Sequence, residues 1–446
     1  MSDLDYGPVL DRLIEYSQKL GATAVDGGIG RSEGVEVSVH AGKLETIERD
    51  EAVGVSLRCL VGQRQAHVSG SDLSEAGLNA LAERCVKMAK AAPEDEYCGI
   101  APEGDLETNP PELVLLGDDP VTPQFLEDEA FRAEAAARAV AGVKDVPGSS
   151  SGWTVSEGWV AASNGFRAHR KDSVSGIGLS AIAERNGAME RDYDGWTTRR
   201  RIDRPSPEDI GKVAGERTVA RLGSTKIDSQ KAAVLFDRRV SASLIGSLIG
   251  AIAGPAIARG TSFLKDKMGE QIFADSIDII DDPFRDYGLG SRAFDGEGRP
   301  VSVKKLIDGG RLTQWLLNGP SAKQLGLTPN GFASSGFGDP PGVTTSNLHM
   351  TAGNETPAAL IKGAGKVLQI TEMFGASLNP NTGDYSVGVS GRWHDGSGES
   401  IPVSEITVAD NLIEMFARLI PANDLEFRNR TNAPSLMIEG MTIAGR

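Results

Sequence analysis

The residues able to do acid, base or metal chemistry are few. His40, His67, His169, His349 and His394 are the only histidines in 446 residues. His40 and His67 fall on strand-like stretches, His169 follows a hairpin, His349 ends a strand, and His394 lies in the turn WHDGSGES. A local zinc pair needs two histidines about one helical turn apart, as in HExxH, and no such pair occurs. Structural or surface roles are therefore expected for all five. Cys59, Cys85 and Cys98 lie in the first quarter in an odd number, which reads as three reduced and mostly buried thiols rather than a disulfide framework. No GxSxG elbow precedes a helix. Ser175-Gly176-Ile177-Gly178 and Asp395-Gly396-Ser397-Gly398 are glycine-rich turns without the spacing of a phosphate loop. Asp281, Asp282 and Asp286 could hold a hard cation, but clustered acids beside Pro283 read more simply as a solvated turn. From these residues alone no active site emerges.

The elements that would position such residues are easier to read. The stretch from Phe236 to Gly269 stands apart, because no charge occurs from Val240 to Ala258 in a chain that is 24% charged. Leu244, Ile245, Leu248, Ile249 and Ile252 recur at helical spacing beside a row of glycines, Gly246, Gly250 and Gly254. A membrane span is disfavoured: Gly254-Pro255 breaks the helix after about fourteen residues, and no Trp or Tyr flanks it. A helix buried at the centre of the C-terminal domain is expected instead.

Around it, residues 8–20 predict an amphipathic helix with Pro8 near its start and Gly21 at its end. Residues 35–39, 43–48, 53–60 and 65–68 predict strands, and 78–88 a helix. A proline-rich arm spans 98–123. Thr122-Pro123 opens a helix to Ala141, and Asn164-Gly165 and Asn186-Gly187 mark type I′ turns in a meander over 152–197. A further helix covers 206–222. The second half predicts a strand at 232–236 and short strands at 276–281, 367–373, 385–392 and 434–443. A hairpin turns at Asp308-Gly309 between 301–307 and 311–317, and 410–419 reads as a helix. The fold class is α+β. An N-terminal α/β domain (1–222), with a mixed sheet and covering helices, precedes a C-terminal, mainly antiparallel barrel-like domain (223–446) containing the apolar helix.

The net charge of −16 and pI near 4.9 argue against a broad nucleic-acid footprint. Arg199, Arg200, Arg201 and Arg204 form the one basic cluster and read as a solvated or ion-paired surface. The N-terminus lacks the basic and apolar regions of a secretory signal, so a cytoplasmic protein is the default.

Several stretches resemble the TldD/PmbA family, the metallopeptidase-related proteins also called modulators of DNA gyrase. They are GVEVSVHAGKLETIERDEAVGVSLRCLVGQRQAHVSGSDLS, RGTSFLKDKMGEQIFADSIDIIDDP, LIDGGRLTQWLLN, TTSNLHM and PSLMIEGMTIAG, in order along nearly the whole chain. The resemblance implies a two-domain fold closing with a partner. In the catalytic TldD branch the helix before RGTS carries HExxxH, whose histidines bind zinc and whose Glu is the general base, while a Cys near the C-terminus completes the ligands. Counted back from Arg259-Gly260-Thr261-Ser262, those three positions here are Ile245, Gly246 and Gly250, and Glu426–Pro434 contains no Cys. No register shift restores a site. The chain therefore looks like the PmbA (TldE) branch, a non-catalytic subunit that holds no zinc of its own. It would enclose, with an HExxxH-bearing paralogue, a chamber for unfolded or extended peptides. Arg259, Gly260, Thr261 and Ser262 are its candidate peptide or partner contacts, and a homodimer is open. Two other readings remain: a hydrolase using Ser262 or Thr261 with a distant histidine such as His349, and a gyrase-binding modulator without proteolysis.

Overall fold

Long hairpins organise the N-terminal half of the computed structural model, which describes residues 5–118, 120–334 and 337–446. Helix α1 (Gly7–Lys19) leads into β1 (Ala24–His40), β2 (Lys43–Val61) and β3 (Arg64–Gly70), followed by α2 (Glu75–Ala91). After the arm come α3 (Pro123–Arg138), β4 (Val143–Ala162), β5 (Arg167–Arg185), β6 (Ala188–Thr198) and α4 (Pro207–Ala220). The sheet order is β3-β2-β1-β4-β5-β6, and every pairing is antiparallel. The mixed N-terminal sheet expected from sequence is thus corrected. Turns of a few residues join every neighbouring pair except β1–β4, and so short a link can only reverse the chain. Asn186 and Gly187 take φ of 53° and 83°, as a type I′ turn requires. At Asn164-Gly165 only the glycine is at positive φ, and the Asn164 side chain accepts the Phe166 N–H instead.

Strand β2 runs unbroken for 19 residues where sequence suggested two strands, because its charged middle lies in solvent on both faces. Helices α1 and α2 bury one end of the sheet around Leu10, Val25, Leu57 and Cys85. Helices α3 and α4 bury the other around Ile177, Leu179 and Ile210. Thr122 caps α3 by accepting the Phe125 N–H at 3.2 Å, as its Thr-Pro start predicts.

The second half opens with β7 (Gln230–Phe236), α5 (Arg238–Ala251) and α6 (Gly254–Ala258). Next come β8 (Ile279–Asp282), β9 (Lys304–Asp308), β10 (Arg311–Leu312), α7 (Gly319–Leu325), β11 (Asn347–Met350) and α8 (Pro357–Ala364). The chain ends with β12 (Val367–Leu378), β13 (Asp384–His394), β14 (Ser400–Asn411), α9 (Leu412–Arg418), β15 (Leu419–Pro421), β16 (Thr431–Asn432) and β17 (Leu436–Ala444). Strand β14 pairs with both β13 and β17, which closes β7, β12, β13, β14 and β17 into a five-strand barrel. Closure removes the edges an open sheet would expose. A second sheet runs β10-β9-β8-β11-β16. The parallel pairs of the molecule lie here, β7 with β12 and β11 with β16. One large core, with Phe236, Phe273, Leu368, Met415 and Phe416 among its members, fills this half.

The arm straps the two halves together. Glu107 N–H donates to Gly298 O at 2.8 Å and Tyr287 N–H to Val114 O at 3.0 Å. Among the described residues no helix is long and apolar enough to cross a membrane.

Candidate functional site

Helix α5 is where the sequence placed the missing chemistry. Asp237 caps it by accepting the Arg239 N–H at 3.1 Å. Leu244, Ile245 and Leu248 are fully buried in the core. The glycine ridge does not join them. Gly246 and Gly250 are exposed, and a Cβ built on either would meet no atom within 4 Å outside the helix's own backbone. The helix packs into the core of the C-terminal half along one face, as expected, and its glycine face stays open. The reason is angular, since residues 246 and 250 point away from the 244-245-248 stripe.

The helix ends where the Gly-Pro pair required. Ala253 is extended and bridges Leu316, and Gly254-Pro255 starts α6. Only Gly254 serves close approach, because a Cβ there would sit 2.5 Å from Ser321 Oγ and 2.7 Å from Leu316 O.

The RGTS segment divides in the same way. Arg259 and Gly260 are exposed, with Gly260 at φ 70°, and Thr261 is half-buried. Ser262 is buried, donating to Ala251 O at 2.6 Å and accepting the Leu264 N–H at 3.0 Å. Its hydroxyl ties the end of α5 to the following loop and is not free to act as a nucleophile. His349 sits apart, edge-on to Phe427, its pKa lowered by burial and then by Arg285. The structure does not bring the proposed serine and histidine into hydrogen-bond contact.

Two segments far apart in the sequence, the start of α5 and the stretch around Ala433, do meet. Ser241 Oγ donates to Ala433 O at 3.3 Å, and Ser435 Oγ accepts the Arg238 N–H at 3.0 Å, so residues 426–435 lie along the start of α5. Between them and β6 opens a cavity of about 270 Å³ reached by Trp196, Arg239, Ala242 and Asn432. A second cavity, about 290 Å³, adjoins it and shares Thr197, Arg428, Asn429 and Asn432. Arginine–aromatic stacks line this cleft: Arg428 over Trp196 at 4.0 Å, Arg239 over Tyr193 at 4.3 Å, and Arg285 over Phe427 at 3.6 Å. Sequence reasoning missed this arrangement. Its members come from β6, α5 and two loops, and no local spacing links them.

The other sequence candidates are structural. Arg199 and Arg204, expected at the surface, are 3% and 8% exposed and pair with Asp172 and Glu129. Arg200 and Arg201 pair with Asp203 and Asp118 as an ion-paired cluster should. Asp281 is buried and accepts the Ser346 N–H at 2.6 Å, while Asp282 caps its own turn at Phe284. Burial pushes the Asp281 carboxyl up. His169 bonds Glu157 at 2.8 Å, and His394 contacts Gln369 at 3.2 Å.

Three models of one family cover this architecture in order: PmbA/TldA metallopeptidase domain 1 matches residues 26–89, the central domain 117–222 and the C-terminal domain 229–445. The chain belongs to the PmbA/TldD metallopeptidase family. It is 30% identical to metalloprotease PmbA of Escherichia coli O157:H7, over 98% of this chain and 96% of that one. A PmbA homologue of Haemophilus influenzae is 29% identical over 97% of this chain and 94% of its own length. In fold it matches the crystal structure of a candidate modulator of DNA gyrase from Bacteroides thetaiotaomicron, with TM-score 0.90 and 24% identity over 98% of both chains. TldE of Thermococcus kodakarensis matches with TM-score 0.82 and 19% identity over 98% of this chain and 100% of that one.

The family name implies a metal, and the residues present do not fit one. The helix positions offer an aliphatic side chain inside the core and two glycines in open space. Among the described residues no three His, Cys, Asp or Glu gather as a ligand set.

Proposed function

We propose that this chain is the non-catalytic subunit of a heteromeric metalloprotease that processes unfolded or extended peptides. Its partner is a TldD-like paralogue carrying HExxxH, and the zinc and general base belong to that partner. The observation that supports this most is the open glycine face of α5. The helix keeps its packed stripe and its RGTS exit while offering no ligand at residues 245, 246 and 250. Arg259, Gly260 and Thr261 lie beyond the helix as contacts for peptide or partner, and Ser262 holds the turn that presents them. The work is assigned to the cytoplasm, where three free thiols stay reduced.

The experiment is reconstitution. The purified chain alone should bind no stoichiometric zinc by mass spectrometry and leave an unfolded peptide uncut. Cleavage should appear when the HExxxH paralogue is added. One equivalent of zinc together with peptidase activity in the lone chain would overturn the reading. Tight binding of gyrase at physiological salt, with no cleavage by the reconstituted pair, would favour a modulator instead.

A further inference from the structure

Asn-Gly occurs four times in the chain, at 164–165, 186–187, 318–319 and 330–331. It is the pair at which a polypeptide most readily modifies itself. The backbone nitrogen of the glycine attacks the side-chain amide carbon of the asparagine, closing a succinimide ring and releasing ammonia. Water then opens the ring at either carbonyl and leaves aspartate or isoaspartate. Glycine favours the step because no Cβ shields its nitrogen. The attack also needs a side-chain amide free to turn, a backbone N–H not committed elsewhere, and access to water.

Three of the four pairs are held. Asn164 accepts the Phe166 N–H at 3.1 Å and donates to Ala101 O at 2.8 Å, while the Gly165 N–H donates to Ala162 O at 3.1 Å. Asn318 is 2% exposed, accepts the Ser321 N–H at 2.9 Å and donates to Pro341 O at 2.7 Å. The Gly319 N–H beside it donates to Glu297 at 2.7 Å. Asn330 accepts the Leu317 N–H at 2.9 Å and donates to Trp315 O at 2.8 Å. At each site both ends of the amide are used, so the ring cannot close until those hydrogen bonds break.

Asn186 is different. It and Gly187 are exposed, and among the described residues neither the Asn186 amide nor the Gly187 N–H has a hydrogen-bond partner. A Cβ built on Gly187 would meet nothing within 4 Å, so its nitrogen is open to approach. The pair forms the two-residue turn between Arg185 and Ala188, at the free end of the β5–β6 hairpin. Swinging the amide toward the nitrogen opens only this turn, and exposed hairpin ends open locally at little cost.

We propose that Asn186 is a site of spontaneous deamidation in the folded protein, and that Asn164, Asn318 and Asn330 are not. Water is the only co-reactant, and the proposal is independent of the protease reading. Its product is not neutral to the fold. Isoaspartate routes the main chain through the former side chain, adding a carbon to the turn that sets the β5–β6 register. That hairpin carries Asp192 and Asp194, which hold Arg239 and Arg428 of the second half.

Peptide mapping of the full chain tests this. One sample is kept folded in warm, mildly alkaline buffer and another is held in urea, and both are then digested at acidic pH. In the folded sample the peptide holding Asn186 should gain the mass difference between an acid and an amide. It should do so at least about tenfold faster than the peptides holding Asn164, Asn318 and Asn330, because each of those must first open. In urea all four should convert at comparable rates. A protein-isoaspartate methyltransferase with labelled S-adenosylmethionine should place label on the Asn186 peptide of the aged folded chain. Anion exchange should resolve an additional acidic species in that sample, and Asn186→Gln should remove it, since glutamine would have to close a larger ring. A folded chain whose Asn186 peptide stays unchanged while the urea sample converts would overturn the proposal. So would equal conversion of all four pairs in the folded chain, or an acidic species that persists in Asn186→Gln.

Discussion

Ser262 shows how a residue in a suggestive motif can be structural. Its hydroxyl is spent on Ala251 O and the Leu264 N–H, both in the core. Ser262→Ala should therefore cost about 1–3 kcal/mol of stability by denaturant titration, the desolvation of two orphaned backbone groups. Peptide cleavage by the reconstituted pair, compared below the melting transition, should change little. Histidines give the second residue-scale expectation. His349 is held below the ordinary value by burial and then by Arg285, and His394 by burial and then by Arg392. Just below a pH of about 6.5 the unfolded chain thus binds more protons than the folded one. Stability present above that pH is lost as pH falls toward the folded values. In His349→Asn the curve of unfolding free energy against pH should be flatter in that window. At this scale the sequence singled out Ile245, Gly246 and Gly250 by counting back along one helix, and the structure places the first in the core and the two glycines on the open face. The stacks of Arg428 on Trp196 and Arg239 on Tyr193 were not, since each joins chain segments that only the tertiary fold brings together.

Among elements, α5 makes a sharp internal comparison. Gly254→Ala drives a methyl into Ser321 Oγ, Leu316 O and Leu317, with no room to relax against the bridging backbone. It should lower stability by about 1–3 kcal/mol, the usual overpacking cost. Gly246→Ala meets open space and should instead stabilise the helix by about 0.5–1 kcal/mol, as alanine exceeds glycine in helix propensity. A bulkier Gly246→Trp should leave the melting temperature near wild type and reduce cleavage by the reconstituted pair, if peptide or partner uses that face. Equal activity of Gly246→Trp would remove α5 from the chamber. Elements with local punctuation were readable: Thr122-Pro123, Asn186-Gly187 and Gly254-Pro255 each act within one turn. Strand β14 was missed because Pro402, Glu405 and Asp410 interrupt SIPVSEITVADN, although Ile406-Thr407-Val408 is a β-branched run. Its place comes from pairing with β13 and β17 rather than from its own composition.

At the scale of the whole molecule, a buried acid couples the sheet to the barrel. Asp192, on β6, is 4% exposed and accepts Arg239 of α5 at 2.5 Å, with Arg221 at 3.6 Å. Arg221 also pairs with Glu372 on β12, and Arg428 reaches Asp194 at 3.1 Å. These contacts hold the N-terminal sheet over the start of α5 and so set the width of the cleft. Sequence singled out only the cluster Arg199, Arg200, Arg201 and Arg204 and gave no sign that Arg221, Arg239 and Arg428 would pair with acids of β6. Removing Asp192 takes the carboxylate from Arg239, whose side chain is 11% exposed, while Arg221 keeps Glu372 and Glu190, and leaving one buried guanidinium without its carboxylate costs about 3 kcal/mol. Asp192→Ala should therefore lower the melting temperature by several degrees. It should also split calorimetric unfolding into two transitions, as the barrel keeps its own core while the sheet loses its anchor. Asp192→Asn retains one acceptor oxygen for Arg239 and turns its NH2 group toward Arg221, so it should lie between the two. A single unshifted transition in Asp192→Ala would mean that the strap 98–123 and other direct contacts, such as the Gly338 N–H to Asp26 at 2.9 Å and Phe166 against Phe294, hold the halves together, and that the ion pairs only follow.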